Sequence, residues 1–434
     1  MLDIQFIRDN PDLVKEKSAQ KGYKVDIDRL LELDKLRRST LVTLEGLRHD
    51  QNLASDQFKD QKPDEALRNG FRNQKQQIQE LSQTLKQTED SFDELLKQVP
   101  NMPLEDVPVG ASEDENVVAK TVGSLPEFDF KPQTHWELGE AKDLIDKKHA
   151  AQVAGSRFVY QKGGLVELQF ATIQFVLKTL SDETLLQKLI TENNLKLVPK
   201  PFVPILPPAM IKTDVFSAMD RLEPRDDRYN VGSPEDNLWL QGSAEHTLGS
   251  MYMDEVLAEE QLPIRYIGYA TSFRREAGTY GKDSEGIMRL HQFDKLEMEV
   301  FSTPETGHDE HKLLVALQEY LVQQLGLPYQ VIQKCTADIG KPNASGVDIN
   351  TWLAGQGEYR ETHTADYMTD YQARRLKTRV KRNDGQIQLV HTNDATAIAF
   401  SRIPAAILEN YQTRDGHVLV PEVLQPFMGG KKEI

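Results

Sequence analysis

Two stretches of the chain, about residues 26–60 and 63–99, have leucines at helical spacing, mostly polar side chains between them, and one glycine each. In the second, Phe71, Ile78, Leu81, Leu85, Thr88, Phe92, Leu95 and Val99 step by threes and fours, and only Gln74 breaks the apolar seam. Such steps align one stripe of side chains along a helix and make a coiled-coil surface. The first stretch follows through Leu30, Leu33, Leu44, Leu47, Ala54 and Phe58, interrupted by Arg37, Thr40 and Gln51. Lys59-Asp60-Gln61-Lys62-Pro63-Asp64 between the two reads as a turn. The pattern predicts an antiparallel helical hairpin, each helix about 50 Å long at about 1.5 Å per residue. A two-helix hairpin has little core of its own, so it is expected to project as an arm. Its charges are mixed in sign, and periodicity alone favours a structural or dimerising coiled coil over an RNA-binding one. Residues 1–25 read as a short helical cap, with Asn10-Pro11-Asp12 as a helix start.

Val99-Pro100-Asn101-Met102-Pro103 ends this region. Residues 1–103 are assigned to the arm, 104–132 to an acidic, turn-rich linker, and 133–434 to a globular domain. There glycine, proline, aromatic and β-branched residues become more frequent. Segments 202–206, 264–273, 293–301 and 386–390 read as strands, and 310–325 as an amphipathic helix. Strands without regular βαβ alternation predict an α+β fold: a coiled-coil arm plus an antiparallel sheet flanked by helices.

The formal net charge of −16 argues against nonspecific coating of nucleic acid, but leaves open RNA reading through a local basic surface and shape. A single cysteine, Cys335, excludes a disulfide within the chain and a cysteine-built zinc site. That usage, the absence of a secretory signal and the absence of an apolar run of about 18 residues lead us to expect a cytoplasmic protein with no membrane association. Neither a P-loop nor a Rossmann glycine pattern occurs, so any nucleotide site must be built another way.

The densest chemistry lies in Ser272-Phe273-Arg274-Arg275-Glu276-Ala277-Gly278-Thr279-Tyr280-Gly281 and Arg289-Leu290-His291-Gln292-Phe293-Asp294-Lys295-Leu296-Glu297. These read as a strand, a glycine-containing loop and a returning strand. Residues two apart on a strand share a face, so Arg274 and Glu276 point together. By itself such a pair is usually a salt bridge. Together with the rest of the chain, the segment resembles motif 2 of class II aminoacyl-tRNA synthetases in its seryl form. His135-Trp136-Glu137-Leu138-Gly139-Glu140 and Gly155-Ser156-Arg157-Phe158 resemble the start of that family's catalytic domain. Residues 202–208 resemble motif 1, the dimer-interface element. Tyr359-Arg360-Glu361 and Gln372-Ala373-Arg374-Arg375 resemble its ATP and metal strand, and 407–411 with 420–424 resemble motif 3 and the C-terminal segment. The resemblance runs in order along essentially the whole chain, the arm included.

The resemblance implies serine activation by ATP, with Mg²⁺, and transfer to tRNA(Ser), or tRNA(Sec) where that tRNA exists. It implies a homodimer whose residues 26–99 grip tRNA. Arg274, Glu276 and Arg402 are the catalytic residues it implies. Arg274 would hold the α-phosphate and the serine carboxylate, Glu276 would orient ATP, and Phe293 and Arg402 would sandwich adenine. Arg275, Leu290, Thr362 and His363 complete the expected ATP site. Glu361 and Thr364 would ligate the metal through oxygen. Ser243, Ala244, Glu245, Arg274, Glu297, Asp394 and Thr396 would bind L-serine. His135 and His291 are expected to be structural.

Several positions depart from the family pattern. Ser243-Ala244-Glu245 stands for Thr-Ala-Glu, and Glu361-Thr362-His363-Thr364 for Glu-Ile-Ser-Ser. Asp394-Ala395-Thr396-Ala397 stands for Asn-Gly-Ser-Gly, so an amide becomes a carboxylate and two glycines gain methyls. An anion there is unfavourable beside a substrate carboxylate unless an arginine compensates. Ser401 replaces a glycine before Arg402, and Ile211–Phe216 replaces a Gly-Thr-Gly stretch of motif 1. These changes keep two alternatives open: a paralogue with another amino acid or acceptor, and a non-catalytic RNA-binding relic.

Overall fold

The computed structural model describes residues 1–57, 65–233, 235–277 and 285–434. The chain divides into two compact units, Met1–Met102 and Pro103–Ile434.

In the first unit, short helices Ile4–Asp9 and Pro11–Gln20 precede two long ones, α1 (Ile27–Gln57) and α2 (Glu65–Gln98). Pro11 occupies the first helical turn, where its missing N–H costs nothing. The expected seam is present: Leu30, Leu33, Thr40, Leu44, Leu85, Thr88, Phe92 and Val99 are buried. One step differs, because Leu96 is buried and Leu95 only half-buried. The polar interruptions have partners. The Arg37 guanidinium lies 4.6 Å from the Phe92 ring centre, and Gln74 donates to the Leu47 carbonyl at 3.2 Å. Arg37 meeting Phe92 while Leu47 meets Gln74 makes the pair antiparallel. Asp34, buried in α1, accepts two hydrogen bonds from Arg8, both 2.8 Å, which tie the N-terminal helices to the arm. Phe58 and the turn expected at Lys59–Asp64 fall outside the described residues, as does the Gly278–Gly281 loop.

The second unit is built on a sheet of eight strands: β1 (Val117–Val122), β2 (Val203–Ile205), β3 (Ile264–Phe273), β4 (Gln292–Ser302), β5 (Tyr329–Gln333), β6 (Ser345–Leu353), β7 (Glu358–Thr369) and β8 (His391–Ala399). Their order is β1-β5-β6-β7-β8-β4-β3-β2, antiparallel throughout except for β2, which runs parallel to β3 at the edge. Strand β4 alternates Lys295, Leu296, Glu297, Met298, Glu299 and Val300. Its apolar members join a core completed by Leu313, Leu314, Leu317 and Leu321 of helix α3 (Gly307–Gln324). The charged members therefore lie on the opposite face. Arg265 of β3 and Glu310 of α3 form a fully buried two-point pair at 2.8 and 2.9 Å, which anchors the helix to the sheet. Cys335 is buried and free. Among the described residues, no helix is long and apolar enough to cross a membrane.

Candidate active site

The charged face of β4 meets β3, β8 and β7 in one cleft. Arg274, Glu276, Leu290, Phe293, Glu361, Thr362, Thr364, Thr396 and Arg402 line it together. Arg274 directly follows β3. Its Nε donates to the Gly242 carbonyl at 3.0 Å, and its guanidinium lies 5.5 Å from the Phe293 ring centre. His291 Nδ1 is 2.9 Å from the Arg274 carbonyl oxygen, so this histidine positions the backbone. His135 is structural as well, buried with Nδ1 2.7 Å from Glu409 Oε1. Glu276, at a left-handed φ of 53°, accepts from Arg289 at 3.1 Å.

Arg402 sits at the start of helix α4 (Ile403–Asn410) and donates to Glu361 Oε1 at 2.7 Å and to the Glu361 carbonyl at 2.9 Å. Burial opposes ionisation of Glu361, but Arg402 and Lys334 hold its carboxyl down at about 2. A β-bulge in the β6–β7 ladder makes Thr362 the extra residue and resets the alternation. Glu361 and Thr364 thereby reach the cleft although they are three residues apart. Thr364 Oγ1 is buried beside the Asp348 carboxyl. Behind the sheet, Gln318 of α3 donates to the Thr364 carbonyl at 2.7 Å and the Thr396 carbonyl at 2.9 Å, fixing both strands at the site.

Two expected ATP residues lie elsewhere. Arg275 lines a neighbouring cleft with Arg157, His291 and Glu276; it donates to the Arg228 carbonyl at 3.0 Å and stacks 4.6 Å from Tyr229. His363 is buried off the cleft, with Nδ1 2.9 Å from Thr362 Oγ1. Burial pushes its imidazole down to about 3, so it is neutral.

The expected serine residues form a largely buried, acidic cluster that meets the cleft at Arg274 and Thr396. Ser243 and Ala244 are buried, and the Glu245 N–H donates to Ser243 Oγ at 3.4 Å. Gly268 of β3 lets this segment press onto the sheet; a Cβ there would lie 2.6 Å from Leu248. Glu245, Glu297 and Asp394 each bring a carboxylate oxygen within 4.8 Å of the others. Thr396 sits opposite Glu297 in the β4–β8 ladder. The compensating arginine is Arg221, 2.6 Å from Glu245 and 3.8 Å from Asp394. Burial works against Glu245 ionising, yet Arg221 holds its carboxyl well below the usual range. Burial raises Glu297 to about 7 despite its contact with Lys295, and lifts Asp394 well above its ordinary value.

Sequence reasoning missed Arg221, Glu299 and Gln318. The alternation through Lys295, Glu297 and Glu299 placed Glu299 on the same face. Arg221, in a distant loop, left no signal.

Residues 1–103 match the model of the seryl-tRNA synthetase N-terminal domain, and residues 229–411 that of the class II tRNA synthetase core domain (G, H, P, S and T). The chain is 36% identical to the serine–tRNA ligase of Syntrophotalea carbinolica, covering all of both chains. It is 37% identical to that of Methanosphaera stadtmanae over 99% of each. Among solved structures, the seryl-tRNA synthetase of Pyrococcus horikoshii complexed with ATP superposes with a TM-score of 0.88, at 34% identity over 100% of this chain and 99% of that one. The cytoplasmic serine–tRNA ligase of Naegleria fowleri complexed with AMP gives 0.85, at 28% identity over 100% and 98%. With residues 1–103 and 229–411 matched and the full length shared with these relatives, the protein belongs to the seryl-tRNA synthetase family of class II aminoacyl-tRNA synthetases.

Proposed function

We propose that the protein is a serine–tRNA ligase. A serine carboxylate oxygen attacks the ATP α-phosphorus, the bond to the β-phosphate bridge breaks, and pyrophosphate leaves. A hydroxyl of the terminal tRNA ribose then attacks the seryl carbonyl, and AMP leaves as the hydroxyl proton passes to solvent. No side-chain base is required. The work is positioning and charge neutralisation.

The observation that carries this reading is one cleft lined by Arg274, Phe293, Glu361, Thr396 and Arg402, with Thr396 opposite Glu297, whose carboxylate converges with those of Glu245 and Asp394. Arg274 would bridge the α-phosphate and the serine carboxylate, with a planar fork suited to both. Phe293 and Arg402 would hold adenine between them, Leu290 would contact its edge, and Glu276 would orient the nucleotide. Arg275 would meet ATP from the adjoining cleft, Thr362 from the floor, and His363 through the strand it stabilises. Glu245 and Glu297 would receive the serine ammonium, while Ser243, Ala244, Asp394 and Thr396 would shape its surroundings.

Glu361 and Thr364 offer hard oxygens toward the phosphates and suit Mg²⁺. When bound, that ion would neutralise phosphate charge. Arg402, which pairs with Glu361 here, would turn to the adenine.

Residues 1–103 serve as the tRNA-holding arm in this reading, with contacts along 26–99, and the catalytic domain at 133–434 also takes in β1 from the expected linker 104–132. The homodimer would form along β2 and the residue after it, where Val203 and Leu206 are exposed. The acceptor is tRNA(Ser), with tRNA(Sec) where it exists, in the cytoplasm.

The test is amino-acid-dependent ATP–pyrophosphate exchange with all twenty amino acids. Serine should support it, and Arg274→Ala should lower it by about 100-fold or more, as for removal of one preorganised donor. Exchange with another amino acid but not serine, or none from folded protein, would overturn the assignment.

A further inference from the structure

Beyond the residues assigned to serine, two more carboxyls adjoin the acidic cluster: Asp366, opposite Asp394 in the β7–β8 ladder, and Glu299. Glu299 follows Glu297 on the same face of β4 and sits opposite Asp394 in the β4–β8 ladder. It is 1% exposed, and neither of its carboxylate oxygens has a hydrogen-bond partner among the described residues. Asp394, opposite it, is kept toward its protonated form first by burial, and it shares a hydrogen bond with Glu245. The charge is also uneven. Glu245, Glu297, Glu299, Asp394 and Asp366 face three cations: Arg221, paired with Glu245 and reaching Asp394; Lys295, paired with Glu297; and Lys334, which acts on Asp366. Arg274 adds charge only from the cleft side, where phosphate and substrate carboxylate would use it.

Serine brings one ammonium and leaves this excess uncompensated. Buried carboxylates in that state take up protons or a cation. Burial does hold Glu299 and Asp394 toward their neutral forms. A metal ion is the weaker candidate for the cation, because all three carboxylates that converge within 4.8 Å already pair with Arg221 or Lys295. A second ammonium on the substrate fits better. The Asp394 oxygen lies within 4.8 Å of those of Glu245 and Glu297, close enough for these acceptors to straddle two ammonium groups on adjacent carbons.

We propose that Glu299 and Asp394 form a second cation subsite, so that the enzyme also activates a short diamino acid, 2,3-diaminopropionate, carrying its β-ammonium where serine carries its hydroxyl. The inference rests on the pocket being the amino-acid site of the activation reaction. The chemistry is unchanged: the carboxylate attacks the α-phosphorus and pyrophosphate leaves.

The experiment is ATP–pyrophosphate exchange with serine, 2,3-diaminopropionate and alanine, on the full-length enzyme and on Glu299→Gln. The wild type should exchange with serine and 2,3-diaminopropionate well above alanine. Glu299→Gln should lower kcat/KM for 2,3-diaminopropionate by about 10- to 100-fold, the weight of one charge-assisted contact, with serine changed by less than about threefold. Its serine exchange also reports that the variant folds. Wild-type exchange with serine but with 2,3-diaminopropionate no better than alanine would overturn the subsite alone. So would diaminopropionate exchange that is untouched by Glu299→Gln. Absence of serine exchange in the wild type would instead overturn the ligase assignment.

Discussion

At Glu297 a carboxyl lies buried beside Lys295, and burial raises it to about 7. An ordinary glutamate titrates near 4.3. The folded protein therefore holds this proton to higher pH than the unfolded chain does. Its contribution to stability is present below about 4.3 and is lost as pH rises through about 7. The ammonium-binding role proposed for Glu297 needs the ionised form. We predict that kcat/KM for serine in the exchange reaction rises with pH up to about 7 and then levels. A profile flat between pH 6 and 8 would sink the assignment of Glu297 as the ammonium partner. Glu361 behaves oppositely, because Arg402 and Lys334 outweigh its burial and keep it ionised across that range.

Among the elements, β3 and α3 are joined where no water reaches. Arg265 and Glu310 make a two-point pair, and Arg265 Nη1 also donates to the Val198 and Lys200 carbonyls at 3.0 and 2.7 Å. Removing one partner strands a buried charge. Glu310→Ala should lower stability by about 3–5 kcal/mol, read from denaturant unfolding. A loss below about 1 kcal/mol would mean that the pair is solvated. In the arm, Leu44 is 1% exposed in the α1–α2 seam. Leu44→Ala should cost about 2–5 kcal/mol of helical-unit stability, followed by far-ultraviolet circular dichroism. Both elements were legible beforehand. Strand β3 occupies the expected residues Ile264–Phe273, and α3 is shifted by a few residues from 310–325. The interruptions Arg37, Thr40 and Gln74 sat in register, although their polar character obscured it.

For the molecule as a whole, the division of labour predicts separable activities. Residues Met1–Met102 and Pro103–Ile434 each form a compact unit. A variant lacking the arm helices should retain serine-dependent exchange within about threefold and lose tRNA charging by about 100-fold or more, since the phosphate and acid residues all belong to the second unit. Equal loss of both activities would show that the arm supports the activation site. Charging retained without the arm would remove its proposed role.

From the sequence came the elements with strong periodicity and the ordered motifs: the helical pair, the strands bearing Arg274 and Phe293, and Arg402 before a helix. Local spacing governs these, because side chains three, four or two apart share a face whatever surrounds them. Tertiary structure alone decided burial and partnership. The alternation through Lys295, Glu297 and Glu299 is the pattern of a strand with one solvated face. Yet Glu297 is 0% and Glu299 1% exposed, because the Ser243–Leu248 segment covers that face and Arg221 arrives from a remote loop. The same tertiary placement turned His363 away from the cleft and left Thr364 in it, through a bulge that no spacing rule announces. Charge placed by long-range contacts, and not the local pattern, is what makes this face a pocket.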